Sequence, residues 1–323
     1  MTASVAALPS RHAERRLVSR YALLFMVVAL YAAFALSQPV FGNFSNFVNI
    51  WRTASIAAVM YIGLTWVIAL GEMEVSFMEV AAFSGMVFAA LLLHHRGAIA
   101  CAAVAALAGF AFGLLNGVLV GYLRFPSLIV TIATGGLARS LGITLGGGQP
   151  IYINDGGAVT VFANATVAGL PVLGLVVVVL YALSWWAQER FVFGHHVYAM
   201  AQNRSGLEQV GVRCTTIVFS LFILSGATAA VAGVLLAATL NSGQPTIGGS
   251  FFLDGLTAVF LGASVIRLGQ PNIIGTAVGV IILAILVNGL ALMGWPAYAR
   301  EIVKGSLLLV GVAVAVAARR RRT

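Results

Sequence analysis

Three carboxylates, Glu72, Glu74 and Glu79, stand with Ser76 in and just after a short polar break, Gly71-Glu72-Met73-Glu74-Val75-Ser76. Paired acids are what general acid–base chemistry uses. That chemistry also calls for a nucleophile, a metal cluster or a histidine partner, and none accompanies these three. A catalytic role is therefore set aside. The break lies between two apolar runs, and carboxylates beside a membrane helix are costly unless hydrated or paired. Two roles stay open for Glu74 and Ser76: capping or hinging a helix, or touching a solute on its way through.

The other polar residues inside apolar stretches ask the same question. Arg139 must find a carboxylate, carbonyls or water. Asn116 and Asn288 need amide partners, either on a neighbouring helix or in a pathway. Asp254 suits a helix N-cap or a polar contact at an outer gate. Gly148-Gln149-Pro150 recurs as Gly243-Gln244-Pro245, a sequence that suits a tight turn and places an amide where a hydroxylated solute would pass. The histidine pairs 94–95 and 195–196 lack further ligands at metal spacing and are expected in solvated loops, with no metal bound. Cys101 and Cys214 have no paired spacing and are expected as small buried residues. No G-x-x-x-x-G-K-[ST] stretch is present, so ATP is not bound by that route and the chain is not expected to be an enzyme.

These residues must be carried by helices in lipid. Of the 323 residues, 61% are hydrophobic and only 8% charged. The mean hydropathy is +1.02. Backbone polar groups in lipid are satisfied only by helices or a closed barrel. The apolar runs are about 20 residues long without alternation, which means helices. Ten spans are expected, at about 19–37, 52–70, 76–93, 98–121, 127–145, 166–187, 214–240, 253–266, 271–293 and 299–318. A 146–165 loop free of Lys and Arg then faces outward. The fold class is an all-α polytopic membrane protein with both termini cytoplasmic. Domain bounds follow: a basic N-terminus 1–18, a transmembrane domain 19–318 with a cytoplasmic loop 188–213, and a basic C-terminus 319–323.

The net charge of +9 is an orientation signal rather than a nucleic-acid footprint. Arg11, Arg15, Arg16, Arg20, Arg124, Arg190, Arg204, Arg213, Arg267 and Arg319 to Arg322 all fall inside in this topology, a majority of the basic residues. The first apolar run resembles a signal peptide, but the many following spans favour an uncleaved first helix. Gly109, Gly113, Gly117 and Gly121 recur every fourth residue and form a ridge for close helix approach. An offset of 172 residues lays Asn116-Gly117 on Asn288-Gly289, Val87-Phe88 on Val259-Phe260, Gly97 on Gly269 and Gly71 on Gly243. The offset covers five spans, so the two five-helix halves would be an inverted repeat, a common transporter plan.

The longest polar interruption that still carries helical signals is Phe191 to Arg213. Val197, Met200, Ala201 and Leu207 fall on one helical stripe. Ser205 with Glu208 fits a capping box, and Gly211 suits a helix stop. A solvated loop and a handle for a soluble partner are both open from spacing alone.

The pattern FG-x-x-x-x-A-x-x-x-N closing on Gly211-Val212 resembles the coupling loop of sugar-type ABC importer permeases, the ribose/xylose/autoinducer-2 class. Phe193, Gly194, Ala199, Asn203, Gly211 and Val212 carry the match. His195 stands where the family favours Arg, and Ala201, Ser205 and Gly206 also depart from it. The polar break is similar to the family's G-x-[IV]-D-L-S-V-G, with Glu74 in place of Asp. Gly113 to Val120, Pro126 to Thr131, Ala138-Arg139, Gly147 to Ile151 and several stretches between Ser220 and Leu290 continue the resemblance over about residues 50–315.

It implies a permease subunit in a bacterial inner membrane, pairing with a second permease, a cytoplasmic ATPase that holds ATP and magnesium, and an external solute-binding protein. The solute would be a monosaccharide. Contact with the ATPase would fall to Gly194, His195, Ala199, Asn203, Arg204, Gly206 and Gly211. The pathway would draw on Glu74, Ser76, Asn116, Gln149, Gln244, Asp254 and Asn288. A branched-chain amino acid or nucleoside permease, and an ATP-independent secondary transporter, are the rivals.

Overall fold

A computed structural model describes residues 25–94, 97–264, 267 and 269–320. The basic N-terminus 1–18, His95 and the last three residues lie outside the described residues. In chain order the helices are α1 (Phe25–Ser37), α2 (Phe44–Ala69), α3 (Phe77–Leu92), α4 (Ala98–Asn116), α5 (Ser127–Leu145), α6 (Gly157–Asn164), α7 (Val172–Arg190) and α8 (Val192–Met200). They continue as α9 (Arg204–Gln209), α10 (Cys214–Leu240), α11 (Gly249–Gly262), α12 (Ile273–Leu292) and α13 (Ala297–Arg320). A π-helical turn, Gly117–Tyr122, extends α4. Four two-residue strands, β1 (Ile151–Tyr152), β2 (Thr166–Val167), β3 (Leu170–Pro171) and β4 (Ser242–Gly243), form two small antiparallel ladders, β1 with β4 and β2 with β3.

Within the described residues, each of the ten expected spans overlaps a helix. Among the described residues, six are long and apolar enough to cross a membrane: α2, α4 with its π turn, α5, α7, α10 and α12. The helices α1, α3 and α11 are apolar but shorter. The expected bounds move at several ends: α2 starts at Phe44 rather than about 52, and α11 runs Gly249–Gly262 rather than about 253–266. Residues 166–171 were read into a span and instead make the β2–β3 ladder, because Ala168 and Gly169 take positive φ and turn the chain. The 146–165 stretch is not a bare loop. The Asp155 carboxylate accepts the Gly157 N–H at 2.7 Å and starts α6 there.

Shifted by 172 residues, Phe77 of α3 falls on Gly249, the first residue of α11. The same shift carries α2, α4 and α5 onto α10, α12 and α13 within a few residues. Packing follows the correspondence: α3 lies on α5 as α11 lies on α13, and α4 lies on α10 as α12 lies on α2. The core centres on α2 and α10, whose middles are buried on nearly every side. Helices buried all round cannot be amphipathic, and α10 has no apolar stripe to show.

The glycine ridge explains how α4 approaches α10. A Cβ at Gly113 would stand 2.7 Å from the Phe222 carbonyl oxygen and 2.9 Å from the Gly226 Cα. At Gly117 it would stand 2.9 Å from the Phe219 carbonyl, and at Gly121 3.0 Å from that of Thr215. All four ridge positions therefore face α10, with Gly109 also touching α3.

Candidate functional site

Two regions gather the polar residues that the sequence singles out. The first is at the end of the bundle where α2, α7, the π turn of α4 and the loop between α11 and α12 converge on α8 and α9. The Asn203 side chain accepts the Gly206 N–H at 2.9 Å, so Asn203 is the N-cap of α9. That corrects the capping box at Ser205 and Glu208: the cap sits two residues earlier, and the Ser205 hydroxyl bonds Asn203 instead. Gly211 does stop the helix, with φ of +85°, its N–H on the Glu208 carbonyl and the Val212 N–H on Leu207. One continuous helical stripe is also corrected. Val197 and Met200 are buried on α8, but Leu207 lies on a separate helix beyond the turn at Ala201 to Asn203.

Each of the two short helices is tied to a different part of the bundle. On α8, the Tyr198 hydroxyl donates to the Pro271 carbonyl at 2.9 Å, and the Arg267 guanidinium lies 4.3 Å over the Tyr198 ring. Burial pushes the Tyr198 phenol well above its ordinary range, so it stays a donor. Arg267 also pairs with Glu189 at 2.6 Å, and the buried Gln188 side chain accepts the Ile273 N–H at 2.9 Å. The joint between α7 and α8 is thus bound to the start of α12. On α9, Arg204 lies 3.9 Å from Glu72 and 3.3 Å from Glu208, which in turn lies 3.5 Å from Arg124. That helix is bound to the α2–α3 and α4–α5 connections.

Gly194 is buried where α8 leaves α7, and Gly206 abuts the Asn203 amide. His195 is exposed, its Nδ1 3.0 Å from the Phe191 carbonyl, and lies on α8 rather than in a loop. Ala199 is half-buried. The outer edge of the element exposes Val192, His195, Asn203 and Val210.

Behind Glu72 the chain leads into a closed polar network. The Ser76 N–H and hydroxyl both donate to Glu74 Oε1 at 2.6 Å. Asn116 Nδ2 donates to Ser76 Oγ at 2.9 Å, and the Thr134 hydroxyl donates to Asn116 Oδ1 at 2.7 Å. All four side chains are buried. Glu74, Ser76 and Asn116 are thereby placed together, knitting α3, α4 and α5, and they do not line the cavity between α2, α11 and α12. Thr134 was not singled out by the sequence, since a threonine in an apolar helix gives no signal before its partner is known. Arg139 finds Glu79, at 3.9 Å. Asn116→Leu leaves the Thr134 hydroxyl without its Asn116 partner and Ser76 with one donor fewer. A cost of about 2–4 kcal/mol is expected, to be read as a lowered unfolding temperature in detergent.

The second region is a cavity of about 260 Å³ between α2, α11 and α12. Asp254 and Asn288 line it, with Thr53, Tyr61 and apolar residues. It lies far from α8 and α9, because it uses the early turns of α2 and α11 and the late turns of α12, whose first residue is the one tied to Gln188. On the near side these helices close: the hydroxyls of Thr65 and Thr276 meet at 2.8 Å, and Gly262 and Gly275 bring the backbones of α11 and α12 together. Asp254 is not the N-cap of its helix. The helix begins at Gly249, and the Asp254 carboxylate instead meets Lys304 Nζ at 2.9 Å. Asn288 Oδ1 accepts from Asn46 at 3.0 Å. Lys304 and Asn46 were missed because a buried partner two spans or more away leaves no local pattern.

Gln149 and Gln244 sit at the end remote from α8 and α9, beyond the far ends of α5 and α10. The 27-residue α10 separates the two ends by about 40 Å. The two Gly-Gln-Pro stretches lie side by side there, because β1 pairs with β4 in the register Ile151 to Gly243. Neither glutamine lines the cavity.

A polytopic helical bundle with a largely apolar cavity carrying a few polar side chains at one end and a docked helix pair at the other is the architecture of a transport component. The profile of the branched-chain amino acid transport system / permease component family matches residues 46–312. The chain belongs to that family. It is 29% identical over 294 residues to the ribose import permease protein RbsC of Escherichia coli, covering 90% of this chain and 92% of that one. To the probable ABC transporter permease protein YphD of the same organism it is 30% identical, covering 94% and 90%. To the L-arabinose ABC transporter permease protein AraH of Azospirillum brasilense it is 26% identical, covering 96% and 91%. No solved structure matches the chain.

Proposed function

We propose that this chain is the membrane-spanning permease subunit of an ABC importer for a monosaccharide. The observation that carries it is the α8–α9 pair, whose base is bonded into the bundle while its outer edge stays open. Relatives described as ribose and arabinose permeases support the sugar. The family profile is named for branched-chain amino acids, and the cavity speaks against that cargo. Among the described residues that line it there is no Lys, Arg or His, so an amino acid's carboxylate would meet no cation. A neutral solute rich in hydroxyls fits an aspartate, an amide and an aromatic ring.

In this reading ten spans cross a bacterial cytoplasmic membrane with both ends inside, and the α2–α5 and α10–α13 sets are oppositely oriented. A second permease subunit shares the pathway, a cytoplasmic ATPase holds ATP and magnesium, and an external binding protein delivers the solute. Closure of the ATPase presses on α8 and α9. The push reaches α12 through Tyr198, Arg267 and Gln188, and the α2–α3 connection through Arg204 and Glu72. Both α2 and α12 line the cavity, so rocking them alternates its access.

Purification of the full chain from its native membrane, with mass spectrometry of what accompanies it, tests this. A P-loop ATPase is expected, and the reconstituted complex is expected to take up ribose, arabinose or allose only with ATP hydrolysis. A chain that comes alone and takes up solute by itself in vesicles would be a secondary transporter.

A further inference from the structure

The ion pair in the wall of the cavity has a consequence for what passes through, given the permease reading above. Lys304 of α13 is only 5% exposed, and its ammonium lies 2.9 Å from Asp254 Oδ1, 3.2 Å from Asp254 Oδ2 and 3.0 Å from Glu301. Lys304 does not line the cavity, whereas Asp254 does. The cation is thus behind the wall and the anion in it. As a tie between α11 and α13 alone, the pair contributes little, since apolar residues of similar volume commonly hold helices as well as a buried ion pair does. What the pair does supply is an ionised carboxylate fixed at the edge of an otherwise apolar space.

The rest of the wall complements it. The Tyr61 hydroxyl is committed to the Phe251 carbonyl at 3.2 Å, which leaves the aromatic ring as an apolar surface on the cavity. Asn288 receives the Asn46 amide on its oxygen, so its own N–H groups are the donors it offers. The cavity wall therefore holds one anionic acceptor, one amide donor, the Thr53 side chain and two aromatic residues, Tyr61 and Phe251. Asp254 Oδ1 is buried against Lys304, so a hydroxyl in the cavity is received by the other oxygen, Oδ2, through a short charge-assisted bond. The same carboxylate repels a second one.

We propose that Asp254 is the hydroxyl-recognising residue of the permease cavity and Lys304 the positioning residue that holds it, so that the wall selects neutral polyhydroxylated solutes against acidic ones. The test uses the full complex in proteoliposomes, with saturating binding protein, D-ribose, L-arabinose and D-allose as neutral probes and galacturonate as the acidic one. Wild type is read first. If it takes up none of the neutral probes with ATP, the permease reading fails and this inference falls with it.

With that arm positive, Asp254→Asn is expected to lower uptake of the neutral sugar about tenfold or more, the change that follows loss of a hydrogen bond to a charged group. Lys304 keeps Glu301 as a partner in this variant, so the fold is retained, as gel filtration would show. Asp254→Glu keeps the carboxylate and is expected to retain most of the uptake. The decisive variant exchanges the charges, Asp254→Lys with Lys304→Asp. It restores the α11–α13 ion pair and puts an ammonium in the wall, so neutral-sugar uptake stays low. Recovery of neutral uptake in the exchanged variant would make the pair a structural tie only and overturn the proposal. Undiminished uptake by Asp254→Asn would overturn it as well, and that arm stands even where the exchanged variant does not fold.

Discussion

Replacing Gly194 by valine is expected to leave ATP hydrolysis running while solute uptake in the same vesicles falls at least about tenfold, a loss of roughly 1.4 kcal/mol in coupling. The reason is local. A Cβ at Gly194 would overlap the backbone carbonyl of Gln188, across the joint in the last turn of α7. Backbone cannot rotate out of the way as a side chain would, so α8 must swing. Gln188 is also the residue whose side chain holds the Ile273 N–H, and the Tyr198 and Arg267 contacts lie on the same helix face. A swing of α8 therefore releases it from α12, while α9 keeps its own ties through Arg204. On the proposed reading, the exposed edge would still meet the ATPase, but its push would no longer reach the cavity. Gly194→Ala meets the same carbonyl and is expected to give a smaller loss of the same kind. Gly211→Ala differs, since no atom stands within 4 Å and only the positive φ is strained, at about 1–2 kcal/mol. Uptake per ATP hydrolysed, measured in one preparation, decides the matter. An unchanged ratio in Gly194→Val would mean that the α7–α8 joint does not transmit the push.

Gly113→Leu is expected to have the largest effect on stability. At Gly113 and Gly226 the backbones of α4 and α10 meet, with each standing where the other's Cβ would be. A leucine there forces the two helices apart along a contact that runs from Gly109 to Gly121. Overpacking a tight core costs about 1–3 kcal/mol when side chains can adjust. Here backbone is in the way on both sides, so a cost at or above the upper end is expected. The measurement is the yield of monodisperse protein and its unfolding temperature in detergent. Leu114→Gln, by contrast, lies beside it on the exposed side of α4 and adds no volume to the crossing. Its cost in lipid is that of an exposed amide rather than of a broken helix pair. Equal stability of Gly113→Leu and wild type would mean that α4 and α10 do not cross here.

Much of this was readable before any coordinates. The glycine spacing announced a helix crossing, and all four glycines face one. The faint 172-residue offset announced two related sets of helices, and it carries α3 onto α11 at its first residue. Phe191 to Arg213 announced a helical element that stops at Gly211, and it does. Other readings held in kind and moved in place. Asn203, not Ser205, caps α9, because an extended backbone at Asn203 aims its side chain at Gly206 and the spacing of a capping box cannot see that.

The division has a physical cause. Span positions, the glycine ridge and the helix stops depend on residues within a turn or two of one another, and the sequence by itself determined them. The period of apolar residues and the freedom of glycine are properties of the chain. Which polar residues meet was decided only by the tertiary structure. Asp254 and Lys304 are 50 residues apart, and Asn46 and Asn288 are 242 apart. Whether a buried carboxylate caps a helix, closes a network like Glu74 or stands in a cavity wall like Asp254 depends on which helices pack beside it. A buried polar group is satisfied by the nearest partner in space, and in this bundle that partner usually lies on another helix.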